Sequence, residues 1–443
     1  MRIFLANLRQ SKKMIIWLYI LIKKGFTRYI AFYTAYKNTY FSILFWTRPL
    51  LNDNMLCMKK LPRIILMIEP IGEYVQGLLR GIARYSNANG PWVYYREPGK
   101  HEGTLPQLAP QEADGIIARI PNTAHARKKL PENVPTITIG YREIISELPQ
   151  IFGDSEAIGK MAGEYFLNKG FRNFGFCGFD EMHWSRERGK SFKSLIESHG
   201  YKTFFYKNLK GSKRKSWHLE QQDIAAWLKT LPRPIGILAC NDDRGQHLIS
   251  ACKLAKLKVP DDVAVLGVDN DKFVCGLSLP QLSSVALGTE RAGYEAAELL
   301  ARMMRKKKII DKNIMVRPTH IADRQSTDML AVEDEDLSDA INYIQKHTDT
   351  ETSVDDVISA GVISRRNLER KFKEHLNRTI YDEIKRQRVG RVIAMLLETD
   401  LTVVQIGLAL KFKDTTHVGR FFKEAMGISP LAYRRKFTNK QSG

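Results

Sequence analysis

From Arg63 onward the chain alternates between short unbroken apolar runs and longer stretches whose apolar residues recur with a helical period. The runs occupy residues 64–68, 115–118, 136–139, 174–177, 236–240 and 263–268. The first helical stretch, 73–88, carries Val75, Leu78, Leu79, Ile82 and Tyr85 on one face, and others follow at 158–169, 188–199, 243–257 and 289–306. A strand that is apolar at every position is buried on both faces. Such strands occur in parallel sheets whose crossovers are helices packed on either side. About 260 residues of this pattern exceed one six-stranded sheet, so the spacing predicts two α/β lobes.

An open sheet of this kind holds its ligand beyond the carboxyl ends of its strands, which directs attention to the residues following each run. These are Glu69 and Tyr74, Asp154 after residues 151–152, Trp184 and Arg188, the pair Asn241-Asp242, and the pair Asp269-Asn270. Carboxylates, an amide and a guanidinium together donate to and accept from vicinal hydroxyls, while Tyr and Trp offer a ring to the C–H face of a sugar. An Asp at a strand end also serves as the N-cap of the next helix, and Asp154 and Asp242 are open to that reading. The chain carries no Gly-rich dinucleotide fingerprint, no phosphate-binding loop, no H-E-x-x-H and no G-x-S-x-G. No catalytic residue, metal site or cofactor is expected.

The first sixty residues read differently. They hold 11 Lys and Arg against the single acid Asp53, with a nine-residue apolar run at 14–22 ended by Lys23 and Lys24. That run is far short of the ~18 residues that span a bilayer. The expectation is a basic, aromatic N-terminal extension, with Met55 or Met58 as the working start; a membrane-surface helix is the alternative. Cys57, Cys177, Cys240, Cys252 and Cys275 are odd in number and lack C-x-x-C pairing, as expected of buried thiols in a reducing compartment.

The overall charge of +21 continues into the tail, where residues 337–443 carry 19 Lys and Arg against 13 acids. After an acidic linker at 329–337 a helical run begins at 340–347, and then one design occurs twice. Residues 354–359 form a short helix, Gly361-Val362 a turn, and Ser364 caps a second helix running to Leu376. Residues 402–408, the turn 411–413 and a helix capped by Asp414 repeat it, with a long helix at 380–397 between the two units. Helix-turn-helix readers lay the second helix of each unit in the major groove. Leu368 and Phe372 face inward, leaving Arg366, Glu369 and Arg370 outward; Val418, Phe421 and Phe422 leave Thr416, His417 and Arg420 outward. Arg bonds guanine in bidentate fashion and Glu accepts from cytosine. Lys371, Lys373, Arg386, Lys413 and Lys423 are expected at phosphates.

Two resemblances sharpen this. Asp154-x-x-x-x-Gly159, Lys169-Gly170-Phe171, Arg188-x-x-x-Phe192, Ala239-Cys240-Asn241-Asp242 and residues 265–270 resemble, in order and spacing, the effector domain of the lactose/galactose-repressor family. That family is similar to periplasmic sugar-binding proteins. The resemblance spans about 61–328 and implies two lobes with crossovers near 160 and 290. It implies sugar contacts at Arg188, Asn241 and Asp269, and a stacking ring at Trp184. Residues 363–373 and 420–430, with Tyr433-Arg434, resemble the AraC/XylS-type DNA-binding domain over residues 338–437. That implies base contacts from Arg366, Glu369, Arg370, Thr415, His417 and Arg420. Asn377 and Lys411 stand where that family has turn glycines.

The two in this order are similar to the xylose operon regulator family. This implies a cytoplasmic homodimer that senses D-xylose, binds operator DNA and activates pentose genes beside RNA polymerase, with no stable membrane association. The fold class expected is therefore a two-lobed, periplasmic-binding-protein-like α/β sensor joined to an all-α double helix-turn-helix domain. A sugar-processing enzyme on the two-lobed scaffold and an exported sugar carrier are the rivals. Turnover assays with pentoses separate the first, cell fractionation the second.

Overall fold

The computed structural model describes residues 61–68, 71–96, 112–119, 130–140, 148–207, 217–306, 313–329, 331, 334–412 and 414–438. The N-terminal extension, Glu69 and Lys413 lie outside the described residues.

Two six-stranded sheets form two lobes. The first contains β1 (Arg63–Met67), β2 (Val93–Tyr95), β3 (Gly115–Arg119), β4 (Thr136–Ile139), β5 (Gln150–Gly153) and a late strand, β11 (Ile314–Val316). Their order is β11-β5-β4-β3-β1-β2, and every pairing is parallel. The second contains β6 (Asn173–Cys177), β7 (Thr203–Phe205), β8 (Ile235–Ala239), β9 (Val263–Asp269), β10 (Ser283–Leu287) and β12 (Pro318–Ala322). It is parallel except where β12 runs antiparallel to β10 at the edge. Ile64, Ile116, Ile117, Ile237 and Val265 are fully buried, as two-faced burial of the apolar runs requires.

The helices supply the covers. In the first lobe α1 (Gly72–Asn89) packs on a helix from much later in the chain, α7 (Thr289–Met304). Their backbones nearly touch: a Cβ added at Gly293 would stand 2.0 Å from the Leu78 carbonyl oxygen, so no larger residue fits. The second lobe is covered by α2 (Ser155–Asn168), α3 (His183–Ser198), α4 (Trp217–Lys229), α5 (Asp242–Ala255) and the short α6 (Lys272–Leu277).

The chain crosses between lobes three times, not twice: after β5, between β10 and α7, and from β11 to β12 at Arg317. The third crossing was hidden because β11 has only three residues, and the middle one, Met315, is exposed. The crossings are stitched together, Asp154 N–H donating to Val316 O and Gly288 N–H to Arg317 O, each at 2.9 Å.

The tail is all helix: α8 (Glu335–Lys346), α9 (Val354–Ser359), α10 (Arg365–Leu376), α11 (Ile380–Glu398), α12 (Val403–Ala409), α13 (Thr415–Met426) and α14 (Pro430–Thr438). It has two small cores, one around Leu337, Ile341, Leu368 and Phe372, the other around Val392, Ile406, Val418 and Phe422. Helix α8 opens five residues before the apolar pattern suggests, because Asp334 accepts from Leu337 N–H and caps it within the acidic linker. Asn377 and Lys411 both take left-handed backbone (φ 52° and 48°), the geometry for which related turns use glycine.

Candidate functional site

Tyr74 stands in the first turn of α1, Trp184 and Arg188 in the first turns of α3, and Asp269 at the end of β9. These four converge on the cleft between the lobes. The charges of Asp269, Arg188 and Arg119 all act on the Tyr74 hydroxyl, and burial raises its pKa. Arg188 is 4 % exposed, its guanidinium lies 5.2 Å over the Trp184 ring, and it donates to the carbonyl of Cys240. Burial pushes the Asp269 carboxyl up to about 7, against the pull of Arg188 and with Asp243 and Asp271 adding to the rise.

Asp269 and Asn270 carry φ of 108° and 56°. A residue held outside its ordinary backbone regions costs of order 1–3 kcal/mol and persists only where its surroundings fix it. Here Ser284 Oγ accepts from Asn270 N–H at 3.0 Å, and Asp242 accepts from Ser284 Oγ at 2.6 Å and from Asp271 N–H at 2.7 Å. Asp242 is therefore no helix cap. It is a 2 % exposed acceptor that braces the Asp269 turn, and burial raises its pKa.

The capping is done by its neighbours. Asn241 Oδ1 accepts from Arg244 N–H at 3.0 Å at the head of α5, while its Nδ2 donates to Asp243 Oδ2 at 3.3 Å. Asp154 likewise caps α2 through Ala157 N–H at 3.0 Å. It sits at the first crossing, beside the cleft: a Cβ added at Gly153 would lie 3.7 Å from Arg188 Nη2. Strand-end reasoning passed over Arg119. It ends β3, and its charge reaches both Tyr74 and Asp269, so the rule that found the others also points to it.

In the tail, Arg366, Glu369 and Arg370 on α10 are exposed, as are His417 and Arg420 on α13. Thr415 and Thr416 open α13. Glu369 pairs with Arg365 at 2.9 Å and Arg370 with Glu374 at 3.0 Å along the helix surface. Such exposed, solvent-screened pairs contribute little to stability and can exchange for a nucleic-acid partner. Two residues expected at phosphates are engaged elsewhere. Lys371 is held by Asp334 and Asp336 at 2.7 and 2.6 Å, and Arg386 by the fully buried Glu383 at 2.7 Å.

The tail is docked mainly on the second lobe, with Arg291 of α7 in the first lobe also donating to the carbonyl of Lys436. Arg378 donates to both the side-chain and backbone oxygens of Asn168, each at 2.8 Å, at the end of α2. Arg172 donates to His375 O at 3.1 Å, and His320 Nε2 meets Glu398 Oε1 at 2.9 Å. Tyr433 Oη donates to Thr319 O at 3.3 Å.

A cleft lined by groups of both hydrogen-bonding senses, bolted to a pair of helix-turn-helix units, defines a ligand-sensing transcription regulator. Known proteins agree. The profile of the periplasmic binding protein-like domain matches residues 164–327, and that of the helix-turn-helix domain residues 360–436. The xylose operon regulatory protein of Haemophilus influenzae is 30% identical over 382 residues, covering 84% of this chain and 98% of that protein. Its Escherichia coli K12 counterpart is 29% identical over 380 residues, covering 84% and 96%. The solved structure of a xylose-binding transcription activator, xylR, aligns with a TM-score of 0.54 at 28% identity, over 85% of this chain and 98% of the other. The chain belongs to the xylose operon regulatory protein family. Among the described residues no helix is long and apolar enough to cross a membrane.

Proposed function

We propose that the chain is a cytoplasmic activator of pentose-utilisation genes that takes D-xylose in the cleft and acts as a homodimer on operator DNA, beside RNA polymerase. In this reading residues 61–328 sense the sugar, 329–337 link, and 338–437 read DNA. The observation that carries it is the convergence of Tyr74, Trp184, Arg188 and Asp269 on one cleft, a ring to stack on and groups that donate and accept. The relatives named for xylose favour that pentose.

Helix α2 offers the path from sugar to DNA. At its head, Ser155 Oγ donates to Trp184 O at 3.1 Å; at its end, Asn168 holds the tail through Arg378. Its 14 residues make a rod roughly 21 Å long. Arg366, Glu369, Arg370, His417 and Arg420 on the two reading helices stay exposed while the tail is docked. Sugar therefore re-aims the readers rather than uncovering them, changing how paired units meet half-sites roughly one helical turn, ~34 Å, apart. Titrating a pentose and hexose panel while following promoter occupancy and transcript output tests this. D-Xylose should shift both, and a panel without effect on either would refute it.

The reading helix makes base-level predictions. Arg366→Ala should cost about 1–3 kcal/mol at one base position, whereas Lys423→Ala should weaken all sequences alike and lower the salt slope by about 1. Binding measured against a library of single-base operator variants separates the two.

The cleft makes a pH prediction. Free Asp269 holds its proton up to about pH 7, whereas the unfolded carboxyl loses it near 3.8. Its contribution to stability therefore falls as pH rises between those values. Its hydroxyl-accepting form grows over the upper part of the same window, so xylose affinity should rise roughly tenfold from pH 6 to pH 8. Calorimetry of the parent and of Asp269→Asn, whose profile should be flat, checks this.

A further inference from the structure

The first helix of the sensor begins without a cap of its own. Ile71, at the N-cap position of α1, has extended backbone and no side-chain acceptor to offer, so the opening N–H groups of α1 need a partner from elsewhere. The partner comes from the other lobe, 198 positions along the chain. Asp271 Oδ2 accepts from Glu73 N–H at 3.0 Å. The other oxygen of the same carboxylate accepts from Phe273 N–H at 2.9 Å and Val274 N–H at 3.1 Å, capping α6 in its own lobe. One carboxylate thus serves two helix starts on opposite sides of the cleft. Its position is fixed from behind by Asp242, which holds Asp271 N–H at 2.7 Å.

What this bond lies next to gives it meaning. Glu73 immediately precedes Tyr74, and Asp271 follows Asp269 by two residues. The bridge therefore joins the backbones that present the first lobe's candidate ligand contact and the second lobe's. Gly72, with φ of 74°, lets the chain enter α1 at that point, and a Cβ there would already stand 3.9 Å from Asp271 Oδ2.

We propose that Asp271 is the positioning residue that closes the sensor: its carboxylate caps α1 only when the lobes are together, and so holds Tyr74 and Asp269 at the separation that grips the ligand. This rests on the cleft being the sugar site. A ligand bridging Tyr74 and Asp269 and the Asp271 cap then favour the same closed arrangement, each strengthening the other. Asp271 touches no ligand in this scheme and acts through the two residues it aligns.

The test must separate the bridge from the local cap on α6. Glu73→Pro removes the N–H that crosses the cleft, at a first-turn position that tolerates proline, and leaves the α6 cap intact. Glu73→Ala keeps that N–H and loses only the Glu73 carboxylate and its ion pair with Arg80. Two measurements are made on the full chain. One is the distance between spin labels at the exposed Asn87 and Ser198, one on each lobe, by pulsed electron resonance without sugar. The other is the dissociation rate of D-xylose by stopped flow. Glu73→Pro and Asp271→Ala should lengthen and broaden the inter-lobe distance and speed dissociation about fivefold or more, with little change in association, because interface changes act mainly through the off-rate. Glu73→Ala should match the parent within about twofold. A parent-like distance in Glu73→Pro, or an equal loss in Glu73→Ala, would overturn the proposal. A parent that closes as described yet binds no pentose would count against the sugar reading instead, since the distance measurement needs no ligand.

Discussion

An Arg188→Ala variant should lose 2–5 kcal/mol of D-xylose affinity, a drop of about 30-fold to several thousandfold, while its affinity for operator DNA stays unchanged. Two losses combine in that figure. The guanidinium is the buried donor of the cleft, aligned by the Trp184 ring beneath it and by the Cys240 carbonyl. It is also, with Arg119, a positive charge that opposes the rise of the Asp269 pKa, so its removal leaves that carboxyl more strongly protonated and poorer as an acceptor. Burial lowers the pKa of Arg188 itself, and the attraction of Asp269 partly restores it. The docking bonds to the tail lie at the end of α2 and on β12, and none involves Arg188, which is why DNA affinity should survive. Calorimetry with D-xylose alongside operator mobility shifts provides the check, and sugar affinity within threefold of the parent would remove Arg188 from the site.

The second large effect concerns the tail's own stability. Glu383 is fully buried, forms an ion pair with Arg378 at 2.6 Å and accepts from Arg386 at 2.7 Å and Gln387 at 2.8 Å. Taking away one member of a buried ion cluster strands the others, at about 3–5 kcal/mol, against the 5–15 kcal/mol that a whole domain possesses. Glu383→Ala should therefore unfold the DNA-binding half at markedly lower urea than the parent. Burial alone would raise the Glu383 pKa, but its arginine partners more than reverse this and hold it below the ordinary value. A depressed carboxylate adds stability above its unfolded pKa, and that stability is lost as pH falls through the folded one. The parent's urea midpoint should accordingly fall on acidification below pH ~4.5. The variant's midpoint should fall less over the same range.

How much of this was legible beforehand depended on the range of the interactions. The parallel strands and both helix-turn-helix units were readable because their signals are local: unbroken apolar runs, helical periods, and turns at Asn377 and Lys411 where the backbone turns left-handed. The short edge strands β2, β7 and β11, three residues each, are too brief to carry a period. The strand-end rule located the cleft but not the division of labour within it. Asn241 and Asp242 are adjacent and chemically alike, and only the fold decides which caps α5 and which is sealed beneath the Asp269 turn. Asp271 could not be singled out, because its decisive partner is a backbone N–H 198 positions away, and a backbone donor leaves no mark on composition. Nor could Lys371 be assigned to the linker acids, since a lysine on a reading helix looks the same whether it awaits a phosphate or is already neutralised.

The grip of Arg378 on Asn168 bears on how such regulators can be rebuilt. A chimaera that grafts this sensor onto a foreign reader would still capture its sugar and still find its promoter. Without counterparts of Arg378, Glu398 and Tyr433, however, a foreign reader would lack bonds that fix this tail to its sensor.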